Sequence, residues 1–181
     1  MSTVVDTSEK KSDIGETLAG KHLTFLLDKE EFAIEILKVN QIIRLQEITF
    51  IPRTPAFVRG VINLRGMIIP IIDLRKKFGM ADSADTERTC IVVIQLNQNG
   101  KKVNMGIVID EVREVLEIRA DDIEETPEFG GGIDMAFIMA IAKTGKNVKM
   151  MLDISKVLTS SEIRTLADLS GTNGNAKEPH A

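Results

Sequence analysis

The chain has 181 residues, 43% of them hydrophobic, a net charge of −4 and a mean hydropathy of +0.02. That apolar supply excludes a wholly disordered protein and fills one ordinary domain or two small barrels. With a pI of about 5.3 no global basic field attracts nucleic acid or anionic lipid, which leaves proteins or small molecules as expected partners.

Ser2–Thr17 carries scattered apolar residues among Ser, Thr, Asp and Lys, so residues 1–20 are expected to form a disordered tail. Met1–Gly20 also lacks the basic-then-apolar layout of a secretory signal. From His22 the period-2 signal dominates. Leu23, Phe25 and Leu27 alternate up to Asp28, and after Lys29-Glu30-Glu31 come Phe32, Ile34 and Ile36. Pro52-Arg53-Thr54-Pro55 stiffens the chain, and Ala56–Arg59 has room for one helical turn. Asn63-Leu64-Arg65-Gly66 then separates two apolar runs, the second being Met67–Ile72, which Asp73 ends. Leu74–Phe78 reads as one helical turn, and polar Ala81–Thr86 as a boundary.

Thr89–Leu96 and Lys101–Ile109 flank an Asn-Gly hairpin signal at Asn99-Gly100. Asp121–Glu125 is a short acidic segment stopped by Pro127, and Gly130-Gly131-Gly132 reads as a connector. Asp134–Ala142 puts Met135, Phe137, Met139 and Ile141 on one face and mostly small residues on the other. Thr144-Gly145-Lys146-Asn147 turns the chain into Val148–Leu152. The capping box Thr159-Ser160-Ser161-Glu162 opens a C-terminal helix with Ile163, Leu166 and Leu169 on one stripe. Gly171–Ala181 is polar, and 170–181 is expected to be a second disordered tail. Many short strands with Gly and Asn turns predict small antiparallel barrels or a sandwich.

Ile71-Ile72-Asp73-Leu74-Arg75-Lys76 echoes Met151-Leu152-Asp153-Ile154-Ser155-Lys156, each Asp standing where it caps a short helix. Two readings are open: independent strand-to-helix turns, or two related half-domains.

The sequence offers no assembled chemistry. The histidines are His22 and His180, far apart in the chain, and no paired-cysteine or His-Glu-x-x-His spacing suits a metal. Cys90, the single cysteine, lies in the apolar run Cys90–Ile94, which predicts a buried, inert thiol in a reducing compartment. No Gly-x-Ser-x-Gly elbow or phosphate loop is present, and Asp121, Asp122, Glu124 and Glu125 lack the spacing of a calcium loop. With no Trp or Tyr there is no stacking platform for oligonucleotides. No segment reaches the ~18 apolar residues that span a bilayer. What stands out is Arg65, projecting from a tight turn in which Gly66 is free to take a positive φ. It is placed either to reach a partner or to form a local salt bridge.

The run Phe57-Val58-Arg59-Gly60-Val61-Ile62-Asn63-Leu64-Arg65-Gly66-Met67-Ile68-Ile69-Pro70-Ile71-Ile72-Asp73-Leu74-Arg75 closely resembles the signature of the CheW family. Phe32–Val39, Gly106–Asp110 with Val112 and Val115, Pro127-Glu128-Phe129 and Met151–Ile154 extend the resemblance to about residues 21–165. It implies a mainly β fold of two small five-stranded, SH3-like barrels packed together, with a short C-terminal helix. The barrels are expected at about 21–82 and 87–158 of a 21–169 domain, with a strand exchanged between them. The resemblance also implies a non-enzymatic adaptor without cofactor or metal. Its implied partners are the cytoplasmic tips of methyl-accepting chemoreceptors and the regulatory domain of the CheA histidine kinase. The expected location is the cytoplasm, at membrane-associated receptor arrays.

By the same resemblance the receptor-facing residues are Val39, Gly60, Arg65, Gly106, Val112 and Val115. The kinase-facing residues are Leu23, Ile36, Val39 and Ile42, so Val39 belongs to both sets. Gly60 and Gly106 are expected to admit close approach of the receptor backbone. Asn40-Gln41 stands where many relatives carry a glutamate. The alternative function is a small-molecule-binding β-barrel or a weak enzyme.

Overall fold

The computed structural model describes residues 7–126 and 136–169. The expectations for Pro127–Gly132, for Met135, for His180 and for the tail at 170–181 lie outside the described residues. The strands are β1 (Gly20–Leu27), β2 (Glu30–Glu35), β3 (Val39–Arg44), β4 (Val58–Leu64), β5 (Met67–Asp73) and β6 (Cys90–Gln98). They continue as β7 (Lys101–Ile109), β8 (Glu111–Ile118), β9 (Ile123–Glu125), β10 (Ile138–Thr144) and β11 (Asn147–Leu152). The helices are α1 (Thr7–Leu18), α2 (Leu74–Lys77) and α3 (Ser160–Leu169).

Two compact units result, and the chain passes between them at Ile36/Leu37, Glu111/Val112 and Val157/Leu158. The first unit holds a six-stranded sheet in the order β8-β1-β2-β11-β10-β9. The second holds a five-stranded sheet in the order β3-β6-β7-β5-β4. Each sheet surrounds its own apolar cluster, the SH3-like barrel arrangement the fold class calls for. The division differs from the expected halves at 21–82 and 87–158. Met150 and Met151 of β11 pair in parallel with Phe32 and Ala33 of β2, so the first unit is completed by a hairpin from the far end of the chain. Ala81–Thr86 is likewise no boundary but a loop inside the second unit, where Arg59 donates to both carboxylate oxygens of Asp85 at 3.1 and 2.8 Å.

The two strand orders correspond when β8-β1-β2-β11-β10 is laid over β3-β6-β7-β5-β4. β7 pairs with β5 in parallel, as β2 does with β11. The Asp73 amide donates to the Phe57 carbonyl at 2.7 Å, and the Asp153 amide to the Phe137 carbonyl at 2.8 Å. Asp73 caps α2, and Asp153 caps the 3-10 turn Ile154–Lys156. The β4–β5 and β10–β11 hairpins share a register shift, at Val58/Gly60 and Ile138/Ala140. β9 beside β10 has its counterpart in the isolated Thr49–Val61 bridge beside β4. Of the two readings of the Asp73/Asp153 echo, the related half-domains hold.

In the first unit Ala33, Ile118, Ile123, Ala140, Ala142 and Met151 form the cluster. On β10 the buried residues are Ile138, Ala140 and Ala142, so the small side chains face inward and Met139 and Ile141 are half-buried. The N-terminal tail expected through residue 20 is instead helical over Thr7–Leu18. Propensity alone does not hold so polar a helix; docking does. Ile14 and Leu18, one turn apart, pack against the cluster. Gly15 lets the helix close on the backbone, since a Cβ there would lie 2.4 Å from the Ala120 carbonyl oxygen.

In the second unit Ile62, Ile69, Ile71, Ile91, Val93 and Val108 form the cluster. Cys90, expected to be buried, is half-buried at the start of β6. The capping box of α3 forms as predicted: Glu162 N–H donates to Thr159 Oγ1 at 3.2 Å, and Thr159 N–H to Glu162 Oε1 at 3.0 Å. Lys77 adds an ion pair to Glu162 at 2.8 Å.

Candidate interaction surfaces

In the second unit the Asn63–Gly66 turn carries the projecting arginine. Arg65 (φ 53°) and Gly66 (φ 86°) are both left-handed, the signature of the type I′ turn that matches strand twist in a two-residue hairpin. Gly66 N–H donates to Asn63 Oδ1 at 2.8 Å, which closes the turn. Arg65 is exposed, and among the described residues it makes no ion pair or hydrogen bond. Beside it Met67 and Ile68 are exposed at the start of β5, opposite Leu64 and Asn63. A left-handed backbone costs a residue with a Cβ roughly 1 kcal/mol where glycine pays nothing. In the equivalent β10–β11 turn the first position is Gly145, at φ 62°.

Strand β3 is the other exposed element of this unit. It lies at the edge of its sheet, with a register shift between Val39 and Gln41 that leaves Asn40 exposed. Val39 is half-buried and Ile42 is 44% exposed. Leu37, just before β3, is 94% exposed, and Phe50 is exposed in the loop that follows. In the first unit β8 holds the corresponding sheet edge, with Val112 half-buried and Val115 54% exposed. The two pairs of aliphatics, Val39/Ile42 and Val112/Val115, thus occupy the same edge strand of two related sheets. Ile36 is half-buried at the head of the 3-10 turn Ile36–Lys38.

Three expected contact residues are placed otherwise. Leu23 is 1% exposed and belongs to the core, because β1 is covered on both faces: His22, Leu23, Thr24 and Phe25 are all buried. Gly60 and Gly106 admit close approach, but of the chain's own atoms. A Cβ on Gly60, whose φ is 140°, would stand 2.0 Å from the Thr49 carbonyl oxygen. One on Gly106 would stand 2.5 Å from Ile71 Cδ1 and 2.7 Å from Ile91 Cγ2.

Sequence reasoning passed over the polar centre of the second unit. Arg75, 3% exposed, lies 3.7 Å from Asp73, 3.6 Å from Asp85 and 3.2 Å from Asp110. Arg59 bonds Asp73 at 3.2 Å as well as Asp85. Asp73 also accepts from the Arg75 and Lys76 amides. The hydrogen bonds from Arg59 hold the Asp85 carboxyl below the usual carboxylate range, against the opposing effect of its partial burial. Asp73 and Arg75 are buried, so this is a structural clamp and not a docking surface. The signal for it was the charged pair flanking Leu74 at the end of an apolar strand. The exposed Leu37, Met67 and Ile68 were signalled by adjacent apolar residues that break strict alternation. Among the described residues no group of three His, Cys, Asp or Glu side chains is placed to hold a metal ion.

Two related β units whose buried charges serve structure, and whose exposed features are sheet-edge aliphatics and an arginine turn, define a duplicated docking module. The chain belongs to the CheW family, whose model, described as a CheW-like domain, matches residues 21–162. It is 39% identical over 149 residues to the chemotaxis protein CheW of Klebsiella aerogenes, covering 82% of this chain and 87% of that protein. It is 32% identical to the chemotaxis protein CheW of Treponema pallidum, covering 81% and 86%. The crystal structure of the scaffolding protein TtCheW from Thermoanaerobacter tengcongensis matches with a TM-score of 0.67 and 34% identity, over 77% of this chain and 92% of that one. The chain is therefore a chemotaxis adaptor by family.

Proposed function

We propose that this chain is a non-enzymatic adaptor that couples the cytoplasmic tips of chemoreceptors to the CheA histidine kinase, working in the cytoplasm at receptor arrays. No helix among the described residues is long and apolar enough to cross a membrane, and an adaptor that meets receptors at their cytoplasmic tips needs none. The observation that carries the reading is Arg65. An exposed arginine without a partner among the described residues is kept at a left-handed position where the related hairpin uses glycine. Backbone strain retained for a side chain points to a function for that side chain.

Arg65 supplies the receptor contact through its planar guanidinium, with Met67 and Ile68 as apolar neighbours. Val112 and Val115 on β8 complete the receptor-facing set. Gly60 and Gly106 act at one remove, shaping the sheet that carries the Arg65 turn. On β3, Val39 and Ile42 supply the kinase contact together with Ile36. An edge strand bearing exposed aliphatics is suited to docking a second protein. Coupling then consists of holding the kinase where receptor state biases its conformational equilibrium.

Two substitutions test the two halves. Arg65→Glu is expected to leave the fold intact and to reduce co-sedimentation with receptor-bearing membranes; undiminished co-sedimentation refutes the receptor assignment. Ile42→Asp is expected to weaken calorimetric binding to the kinase regulatory domain. An unchanged heat of binding there refutes the kinase surface.

A further inference from the structure

In the second unit Arg59, Arg75, Lys77 and Arg88 each have a carboxylate partner. Lys101, Lys102 and Arg164 have none among the described residues, and all three are exposed. They nevertheless converge, because they line one pocket of about 630 Å³.

The walls of this pocket come from the β6–β7 hairpin and from α3, both within the second unit. Asn99 (φ 50°) and Gly100 (φ 79°) turn the hairpin tightly, so Lys101 and Lys102 follow its tip at once. On α3, Arg164, Ala167 and Asp168 stand three and four residues apart and share a face beside the buried Ile163 and Leu166. Gln98 Nε2 donates to the Ser160 carbonyl at 3.4 Å, which ties the end of β6 to the start of the helix. Val103, buried, and Ala167, half-buried, give the pocket an apolar base.

Three cations against Asp168 leave the lining with a local excess of positive charge, in a chain whose net charge is −4. Like charges gathered around one cavity repel, and a ligand of opposite charge relieves that repulsion when it binds. Lysine ammonium groups and an arginine fork are a donor set suited to phosphate oxygens. Among the described residues the lining includes no aromatic ring on which a base would stack. The volume is that of a small-molecule pocket.

We infer that this pocket binds a small molecule carrying two or more phosphate groups. Lys101, Lys102 and Arg164 hold the phosphate oxygens, and the Asn99 carboxamide supplies an uncharged donor at the rim. The site shares no residue with the Arg65 turn or with the aliphatics of β3 and β8. Its test is therefore independent of the receptor and kinase assignments.

The test titrates inorganic tripolyphosphate into the full chain in a calorimeter at physiological ionic strength. Saturable binding at one site per chain is expected, weakening as salt is raised. Lys101→Ala, Lys102→Ala and Arg164→Ala are each expected to weaken it about tenfold, since each removes charge-assisted hydrogen bonds. Ala167→Leu fills the pocket without changing the charge and is expected to weaken binding by a similar factor. Lys146→Ala removes an exposed cation of the first unit and is expected to leave the affinity unchanged. All five positions are exposed or half-buried, so ligand-free thermal melts are expected to match the native chain. Vesicles of phosphatidylcholine and phosphatidylglycerol present phosphates on a surface, and a hexaglutamate peptide presents carboxylates on a chain. Both are expected to bind more weakly than tripolyphosphate, and tighter binding of either overturns the inference. So do the absence of saturable heat, full affinity in Ala167→Leu, or a loss in Lys146→Ala equal to that in the three pocket variants.

Discussion

The two hairpins β4–β5 and β10–β11 follow the same path and end in the same aspartate-capped turn, yet they are held in different ways. In the second unit, glycine at position 60 lets the backbone close on Thr49, and Arg59 and Arg75 gather Asp73, Asp85 and Asp110 around the corner. In the first unit alanine occupies the corresponding place, Ala140, and the Asp153 cap is met by the Ser155 amide and hydroxyl. The core position of Ile69 is taken by Lys149, which pairs with Glu31 at 2.8 Å. One architecture therefore accepts a charged clamp or a simple capped turn. The clamp sits in the unit that presents the Arg65 turn and gives that hairpin a rigid base.

The comparison breaks most visibly at Gly60. Gly60→Ala adds a Cβ beside the Thr49 carbonyl oxygen at a backbone angle that residues with a Cβ rarely adopt. It is expected to cost about 3–5 kcal/mol in urea unfolding. The reciprocal change, Ala140→Gly, is expected to cost about 1 kcal/mol, because it loses only buried methyl contacts and adds backbone entropy. Similar losses from the two changes would mean that the close approach at Gly60 is relieved by a small shift.

The clamp gives the next effect. Arg75→Met removes the buried guanidinium that Asp73, Asp85 and Asp110 share, leaving Arg59 to hold Asp73 and Asp85, and is expected to cost about 3 kcal/mol. At the matching place Ser155→Ala removes one exposed hydroxyl contact and is expected to change stability by about 0.5 kcal/mol or less. Thermal melts of the two variants, followed by far-ultraviolet circular dichroism, check the contrast. Equal shifts would show that the clamp contributes no more than a capped turn.

These contrasts also explain what the sequence made legible. The Asp73/Asp153 echo, the Asn99-Gly100 hairpin and the α3 capping box depend on residues close in the chain, and each formed as read. Division into units did not follow from local pattern, because it is decided by β2 pairing with β11 across most of the chain. Helix α1 was missed because its stability comes from a seat built by residues around Ala120. For the contact surface, the resemblance supplied Ile42 and Val115, which lie exposed on edge strands, and Leu23, which is buried. Where both faces of a strand are covered, period 2 carries no information about which face is free. Glycines are ambiguous in the same way: Gly60 and Gly106 mark close approach, and only the fold shows by which atoms.

Acid sharpens the comparison, since each unit has a carboxylate held below its ordinary value. Asp85 is lowered chiefly by the Arg59 hydrogen bonds, and Glu31 chiefly by the hydrogen bond from Lys149. A lowered folded-state value means that the stabilisation is complete above the ordinary carboxylate range and is lost as pH falls through the folded value. Stability is therefore expected to decline as pH drops below about 4. Asp85→Asn is expected to be less stable at neutral pH and to decline less steeply in that window; Glu31→Gln should do the same for its own share. An acid profile unchanged by Asp85→Asn would remove Arg59–Asp85 from the account.

The two hairpin tips combine small expected changes in stability with the cleanest separation of fold from function. Arg65 and Gly145 hold the same turn position with similar φ, 53° and 62°. Arg65→Gly relieves left-handed strain but makes the unfolded chain more flexible, so the two effects nearly cancel and stability should stay within about 0.5 kcal/mol. Gly145→Arg introduces the strain and is expected to cost about 1 kcal/mol. If Arg65 serves the receptor, Arg65→Gly loses co-sedimentation with receptor membranes at unchanged stability, whereas Gly145→Arg keeps it despite being the less stable protein. The opposite pattern, with binding following stability, would mean that the turn matters for its shape and that the guanidinium is incidental.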